Sequence, residues 1–238
     1  MLVRSPLRAV VLVAVALLAV PSFTFAGSLV GSRAALNTLL GATATTETFE
    51  AYPIVDGTAT IDSTLVTNLN SSTIFNGVGP GLINSALSID TPGNLQWNGA
   101  GYFGQPSRDI LSNNETITVN FLNGTGAFGI DLLAYNGYSN TATAVVKDRL
   151  GNTLGSFSNL LLDGSQNPVV PTFFGYTDGG GIGSVTFTSG TQSWSPIIDN
   201  LTFGPASAVP EPSTIASAAL AVFAGLGTVI SRRRRASR

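Results

Sequence analysis

The side chains in this chain that could perform acid-base, nucleophilic or metal chemistry are almost all carboxylates. The sequence contains neither cysteine nor histidine. This excludes disulfides, zinc-thiolate sites, cysteine nucleophiles, the Ser-His-Asp triad and histidine-containing transition-metal sites. Glycosidase chemistry remains possible, because it needs only two suitably spaced carboxyl groups. Asp109 with Glu115 and Asp131 with Asp148 are candidates, but strands present side chains alternately, so sequence spacing selects neither pair.

One carboxylate, Asp199, occupies an unusual position. If residues 197–203 form one regular strand, Asp199 shares its face with three apolar residues, Ile197, Leu201 and Phe203. An unpaired buried charge is costly, and its candidate partner is Glu47 or Glu50 at the start of the first strand. Glu50 and Asp199, with backbone carbonyls, would suit a structural calcium ion; no other cofactor is expected. The alternative is that Asp199 caps a turn or accepts backbone hydrogen bonds.

Aromatic side chains are the second group with binding chemistry. Six lie near polar, glycine-containing segments: Trp97, Tyr102, Tyr135, Tyr138, Tyr176 and Trp194. Their rings could stack on sugar rings, although packing in a core is the ordinary alternative for large aromatic residues. Tyr135 and Tyr138 lie in the most loop-like segment, and we predict that these two bind glycan.

Strands must position these residues, because the apolar spacing is mostly two rather than 3.6. In residues 116–121, for example, apolar residues alternate with threonine and asparagine. The predicted strands are residues 46–50, 59–65, 116–121, 126–134, 141–148, 153–157, 172–176, 185–188 and 197–203. Residues 149–152 separate two of them and predict a hairpin.

A single short helix is predicted near the start of this β-rich region. Ser32 can cap it, five apolar residues form its stripe, and Gly41 can end it in the left-handed conformation. About ten strands with one helix predict an all-β fold, an antiparallel jelly-roll-like sandwich of two sheets. We predict that residues 27–208 form this single domain.

The N-terminus has the pattern of an export signal. Arg4 and Arg8 precede an uninterrupted apolar stretch at residues 9–20, and Thr24-Phe25-Ala26 puts small residues at the positions that a signal peptidase reads. We therefore predict a signal peptide at residues 1–26, cleaved by signal peptidase after Ala26. A permanent helix is the alternative, but twelve apolar residues are too few to span a bilayer.

The last thirty residues combine a polar motif at 209–214, an uncharged segment at 215–231 and a basic segment at 232–238. As a helix, residues 215–230 would rise about 24 Å, slightly less than the hydrocarbon core of a bilayer, which predicts a marginal transmembrane helix. The basic segment begins with four consecutive arginines, Arg232, Arg233, Arg234 and Arg235. These act as a stop-transfer signal that keeps the tail in the cytoplasm and places the rest of the chain outside.

This C-terminal cassette resembles the PEP-CTERM sorting signal of Gram-negative bacteria. Pro210, Glu211 and Pro212 match the family's motif, and the apolar segment and the arginines follow in the family's order. The resemblance implies tethering to the inner membrane and processing at the motif by an exosortase, a membrane-embedded, transpeptidase-like protease. An ordinary tail anchor with an accidental pair of prolines is the alternative. A lipid-anchor signal of the GPI type fits less well, because its apolar tail has no basic stop.

The region between the two signals resembles the β-sandwich ectodomains that often carry PEP-CTERM tails. The resemblance rests on short motifs at residues 47–50, 173–175, 197–201 and 203–204. Some of those sandwiches look like carbohydrate-binding modules, which is an analogy, because a fold does not determine function.

Charge restricts the partners of this region. Residues 27–208 contain four basic and twelve acidic residues, a net charge of −8. A surface of this kind repels phosphate backbones, which excludes nucleic acid as a partner. Three functional hypotheses remain: a non-enzymatic exported protein with a structural or adhesive role at the cell surface or in an extracellular polysaccharide matrix, a carbohydrate-binding module, and a carboxylate-dependent glycan hydrolase. We favour the first.

Overall fold

The computed structural model describes residues 27–135, 137–190 and 196–205. The predicted signal peptide with its cleavage site at Ala26, the Pro210-Glu211-Pro212 motif, the apolar segment and the arginines 232–235 lie outside these residues, as does Trp194. Across the described ranges, no helix is both long and apolar enough to cross a membrane.

The described residues contain one α-helix and twelve strands. The helix is α1 (Arg33–Leu40), followed by a 3-10 turn at Gly41–Thr43. The strands are β1 (Ser28–Leu29), β2 (Thr45–Glu47), β3 (Ala59–Ile61), β4 (Asn68–Asn70), β5 (Leu87–Asp90), β6 (Leu95–Asn98), β7 (Asp109–Ser112), β8 (Thr116–Leu133), β9 (Ser139–Asp148), β10 (Thr153–Asp163), β11 (Thr172–Ser189) and β12 (Ile197–Gly204).

The strands form one hydrogen-bonded network in which the main order is β10-β9-β11-β8-β12-β7-β6-β3. Beside this path, β1 pairs with β11, β2 pairs with β12, and β5 pairs with β4 and β8. Every one of these pairings is antiparallel. The prediction of a mostly antiparallel β-fold with one short helix is therefore confirmed.

The two 18-residue strands, β8 and β11, bend sharply and run through both halves of the sheet. In a straight strand, Phe121 and Phe128 would be about 23 Å apart, yet their ring centroids are separated by 5.2 Å. Phe174 and Phe187 of β11 likewise meet at 5.6 Å. Gly124, with φ of +73°, and similar glycines near the middle of β11 permit these bends. The sheet therefore folds over one main core.

The α1 helix packs on the outside of this bent sheet. The Ser32 hydroxyl accepts a hydrogen bond from the backbone N–H of Ala35 at 3.2 Å, which confirms the predicted N-cap. Gly41 ends the helix with a positive φ of +55°, but its ψ of −136° is outside the left-handed helical region. Leu36 and Leu40 are buried in a small cluster with Val30 and Ala127. A Cβ at Gly129 would lie 2.6 Å from a methyl group of Leu36, so this glycine provides space for the helix.

Candidate functional site

The face of β6, β7, β12 and β8 that is turned away from the main core carries a second apolar cluster. Leu111, Leu133 and Ile197 come from neighbouring strands, and Val169 covers them from the loop before β11. Their sequence neighbours Ile110, Leu132 and Ile198 belong to the main core instead. This alternation follows from the two-residue period of a strand. The second cluster forms the base on which Phe103 and Tyr135 pack.

The segment between β6 and β7 lies over this cluster and presents Tyr102 and Phe103. Two hydrogen bonds hold it in place: the Gln105 side chain donates to the carbonyl of Ala134 at 2.8 Å, and the Val169 N–H donates to the carbonyl of Gly104 at 3.1 Å. Phe103 has a φ of +53°, a conformation that is uncommon for a bulky residue. Such backbone strain persists where the surroundings fix the conformation, and it is frequent at ligand sites.

The loop after β8 supplies Tyr135 and Tyr138 to the same place. The N–H of Tyr138 donates to the carbonyl of Tyr135 at 3.2 Å, and the N–H of Gly137 donates to the carbonyl of Gly164 at 2.7 Å. A Cβ at Gly164 would collide with the carbonyl oxygens of both tyrosines. This position therefore requires glycine, because only a residue without a side chain lets the two loops approach so closely.

Four aromatic rings from these two segments form a continuous series. Their centroids are 4.3 Å apart for Tyr102 and Phe103, 5.2 Å for Phe103 and Tyr135, and 4.3 Å for Tyr135 and Tyr138. The outermost ring, Tyr138, is 47% exposed. We call these four residues, together with Gln96, the aromatic cleft. A cavity of about 260 Å³ lies inside it, lined by Gln96, Tyr102, Phe103 and Tyr135.

The hydroxyl of Tyr135 is un-ionised at neutral pH. Burial raises the pKa of Tyr135 above its usual value, and the hydrogen bond and charge of Tyr138 raise it further. The Tyr135 hydroxyl can therefore both donate and accept a hydrogen bond at neutral pH. The cleft offers apolar ring faces edged with neutral polar groups, which is the combination that a polyhydroxylated ring requires.

A chain of side-chain amides joins the floor of the cleft to a buried carboxyl group. Gln96 Nε2 donates to Asn98 Oδ1 at 2.6 Å, and Asn98 Nδ2 donates to Asp109 Oδ1 at 2.6 Å. All three residues are buried on the same outer face. Because the carboxyl oxygen Oδ1 accepts the bond from Asn98, the direction of the whole chain is fixed.

Asp109 is also the first member of a row of three aspartates that crosses the outer face. Asp199 on β12 is the register partner of Asp131 on β8, and the register of β12 with β7 places Asp109 on its other side. Asp131 is neutralised by Arg33, whose Nη2 lies 2.6 Å from its Oδ1. Neither Asp109 nor Asp199 has an ion-pair partner among the described residues. Oδ2 of Asp109 also has no hydrogen-bond partner there.

Burial dominates the protonation of this aspartate row. It raises the pKa of Asp109 well above its usual value, and the negative charges of Asp199 and Glu50 raise it further, against the hydrogen bond from Asn98. Burial also raises the pKa of Asp199 to about 6, in spite of hydrogen bonds from the Ser107 hydroxyl and the N–H of Asn200. Two carboxyl groups near one another in a buried place cannot easily both ionise.

The prediction that Asp199 shares a face with Leu201 and Phe203 is wrong. Asp199 does share the outer face with Ile197, but Leu201 and Phe203 lie in the main core. The cause is a β-bulge: Asn200 has a φ of +47°, and the pairing of β12 with β8 shifts register after Asp199. One extra residue moves every later side chain to the opposite face.

The acidic residues proposed as neighbours of Asp199 do lie in the adjacent segment. β2 pairs with β12, with Glu47 opposite Leu201. Both carboxylate oxygens of Glu47 accept backbone N–H groups, from Phe49 at 2.8 Å and Asn84 at 2.7 Å. Glu50 lies 3.6 Å from Arg108. Among the residues that the structure describes, no three acidic groups come together in a way that could hold a metal ion.

The structure places neither proposed hydrolase pair together. Asp109 begins β7, whereas Glu115 follows the other end of that strand. Asp131 lies in the aspartate row, whereas Asp148 accepts backbone hydrogen bonds from Leu150 and Asn152 in the hairpin turn. That hairpin is the one predicted at residues 149–152.

A larger cavity, of about 480 Å³, lies near the bends of β8 and β11. Glycines form much of its wall, with Arg149 and Asp178 as its charged residues and Phe203 as its aromatic one. It therefore lacks the run of ring faces that the aromatic cleft provides.

Sequence reasoning selected Tyr135 and Tyr138 and included Tyr102 among the aromatic candidates, but it missed Gln96 and Phe103. An available signal was the alternation Leu95-Gln96-Trp97-Asn98, which places Trp97 in the main core and the two amides on the outer face. No comparable signal identified Phe103, because its position depends on an irregular turn.

No protein-family model, no curated protein and no solved structure matches this chain.

Proposed function

We propose that this chain is an exported, non-enzymatic protein that is sorted through its C-terminal segment and acts at the cell surface or in an extracellular polysaccharide matrix. The order of its parts is the observation that carries the proposal: a signal-peptide pattern, an acidic β-rich region, and the cassette of Pro210-Glu211-Pro212, apolar segment and arginines. Its partners would be signal peptidase, the inner membrane during tethering, and an exosortase-like protease.

Mass spectrometry of the mature protein from its own host tests this proposal. We expect an N-terminus at Gly27 and a C-terminus between residues 210 and 214. A mature chain that retains Arg238 would favour a simple tail anchor over sorting. Protease treatment of whole cells provides an independent test, because a protein that is inaccessible from outside would contradict export altogether.

We further propose that residues 27–205 form a jelly-roll-like sandwich. The supporting observation is that Phe121 and Phe128 of β8, and Phe174 and Phe187 of β11, contact each other across one core although each pair shares a single strand. A strand that turns back over its own core can belong to two facing sheets.

The second candidate function, an adhesive role through carbohydrate binding, is favoured by the aromatic cleft. Its four consecutive rings include Tyr135 and Tyr138, the two residues predicted from sequence to bind glycan. Exposed aromatic rings edged with polar groups are typical of sites that bind amphipathic ligands. A glycan array with bacterial polysaccharides tests this role; absence of binding above background would leave a purely structural one.

A structural calcium ion at Glu50 and Asp199 stays a prediction. It is supported by the proximity of the two groups, since burial raises the pKa of Asp199 and the charge of Glu50 adds to that rise. The purified protein would be melted with and without millimolar calcium. A higher melting temperature in calcium is expected, and an unchanged one would contradict the site.

A further inference from the structure

We infer that the aromatic cleft binds a single neutral sugar ring and that Gln96 recognises a hydroxyl group of that sugar. The inference rests on the proposed carbohydrate-binding role and adds to it the class of ligand, the size of the recognised unit and the residues that select it. Three features support it: the size of the cavity, the free polar atoms of Gln96 and the lack of a basic residue in the lining.

The volume of the cavity limits the part of the ligand inside it to one sugar ring. The cavity of about 260 Å³ is smaller than the range of roughly 300–1,000 Å³ that is usual for drug-sized ligands. Phe103 and Tyr135 both line it, at 5.2 Å between centroids, and both are anchored on the apolar cluster below. Tyr138 stacks on the outer side of Tyr135, where it can contact a second ring of the same glycan.

The amide chain fixes the orientation of Gln96 at the floor of the cavity. One N–H of Gln96 Nε2 donates to Asn98, and Asn98 Nδ2 donates to Asp109. Gln96 Oε1 and the second N–H of Nε2 have no hydrogen-bond partner among the described residues. A sugar hydroxyl can donate to this oxygen and accept from this N–H. Gln96 would therefore stabilise a bound ligand that places an O–H group at the floor of the cavity.

The lack of a cation in the cleft selects a neutral ligand over an acidic one. No basic residue lines the cavity. A uronic acid would bring its carboxylate into a partly buried place without a cation to pair with, which is unfavourable. A neutral hexose brings no charge into the cleft and avoids this cost.

The test uses full-length protein or its mature form, with methyl β-D-glucopyranoside, neutral oligosaccharides of two to four units and glucuronic acid as probes. Binding is measured by calorimetry and by protein-observed NMR. We expect neutral sugars to bind, with side-chain amide signals of Gln96 shifting on titration. Affinity should stop increasing after the second unit, because the cavity and Tyr138 together accommodate no more.

Matched variants separate recognition from folding. Tyr135→Leu removes a ring face and should weaken binding about tenfold, whereas Tyr135→Phe keeps the ring and should bind within about twofold of wild type. Gln96→Leu removes the acceptor and should weaken binding about threefold to tenfold. Leu150→Ala, at an exposed residue of the 149–152 hairpin, at the opposite end of β9 from Tyr138, is the control and should bind normally. Thermal unfolding verifies that each variant is folded.

The outcomes distinguish the inference from the proposal beneath it. If neutral glycans bind but folded Tyr135→Leu and Gln96→Leu variants bind equally well, the cleft is not the site, while carbohydrate binding survives. If glucuronic acid binds as tightly as the neutral glycoside, the charge argument is wrong. If no sugar binds at all, both the inference and the carbohydrate-binding role are refuted, and only the sorting proposal stands.

Discussion

Asp199 shows how a single buried side chain can affect the stability of the whole protein. It is only 2% exposed, and its pKa is raised to about 6, mainly by burial. The carboxyl group is thus neutral in the folded state at a pH where it is already ionised in the unfolded chain. Such a group stabilises the fold most below its unfolded pKa and loses that contribution as pH rises through its folded pKa.

Asp199→Asn should therefore increase the free energy of unfolding at neutral pH. The gain over wild type should be absent near pH 3.5, develop between about pH 4 and pH 6, and reach about 2–3 kcal/mol at pH 7. Asparagine carries no charge to desolvate, and its one amide oxygen can still accept the hydrogen bond from Ser107. Its NH2 group cannot accept the N–H of Asn200, and this loss is the same at every pH, so the pH dependence of the difference is the readout. Urea unfolding of both proteins across this pH range measures the difference.

Asp163→Asn is the control with the opposite sign. Hydrogen bonds from Ser165, and a further one from the Ser139 hydroxyl, hold the pKa of Asp163 below its usual value. Its contribution to stability is present at neutral pH and is lost as pH falls through the folded pKa. Asp163→Asn should consequently destabilise the protein at pH 7 and have little effect at low pH. If both variants changed the free energy of unfolding with the same pH dependence, this account of Asp199 would be contradicted.

The sequence identified a site residue only where its side-chain type and its position in a loop or strand both pointed to a site. Tyr135 and Tyr138 were predicted because they lie in a glycine-containing loop. Asp199 was correctly singled out, but its face was predicted for a regular strand, and a bulge at Asn200 cannot be inferred from alternation alone. The aspartate row was not predictable, because it depends on the register of β7, β12 and β8, which are distant in sequence.

At the scale of elements, α1 depends on its packing more than on its own propensity. It has eight residues, too few for a stable isolated helix. Leu36 is fully buried in the cluster against β8, whereas Leu39 is only partly buried. The helix also brings Arg33 to Asp131, so its position matters for the neutralisation of the aspartate row.

Leu36→Ala should destabilise the protein by about 2–5 kcal/mol, because it leaves a cavity between the helix and β8. Leu39→Ala is the matched control, since it removes the same atoms from a partly exposed place and should cost clearly less. Denaturant unfolding compares the two. Equal losses would show that the helix is not anchored through Leu36.

Strands with strict alternation were predictable, whereas short and bent ones were not. The predicted strands at 116–121 and 126–134 are both parts of β8, and those at 172–176 and 185–188 are both parts of β11. Glycine-rich stretches suggested loops between them, and the pairing of the two long strands does shift register at these bends, but it resumes on the other side. β4, β5, β6 and β7, of three or four residues each, were missed, whereas β2 and β3, which are equally short, fall within predicted strands.

For the molecule as a whole, the strongest sequence signals lie at the two ends, and we propose that they direct export and sorting. Replacing all four residues Arg232 to Arg235 by glutamine should impair retention of the tail in the membrane or invert its orientation, because positive charge next to an apolar segment sets its topology. The chain contains no cysteine, so one introduced cysteine can be labelled without background.

Ser237→Cys and Ser207→Cys, made separately, report the two sides of the apolar segment. With the arginines intact, a membrane-impermeant thiol reagent should label Cys introduced at 207 and not at 237. In the glutamine variant, this difference should be reduced or reversed. An unchanged labelling pattern would contradict the role given to the arginines.

The central place of β12 has a consequence for when the protein can fold. Although it is the last strand in sequence, it lies between β7 and β8 and carries Asp199 into the row. Before residues 197–204 have emerged from the ribosome, the facing edges of β7 and β8 have no partner for their backbone groups. We expect a nascent chain that ends before Ile197 to remain non-native and sensitive to proteolysis. Folding would then be completed only when residues 197–204 become available to pair with β7 and β8 on either side.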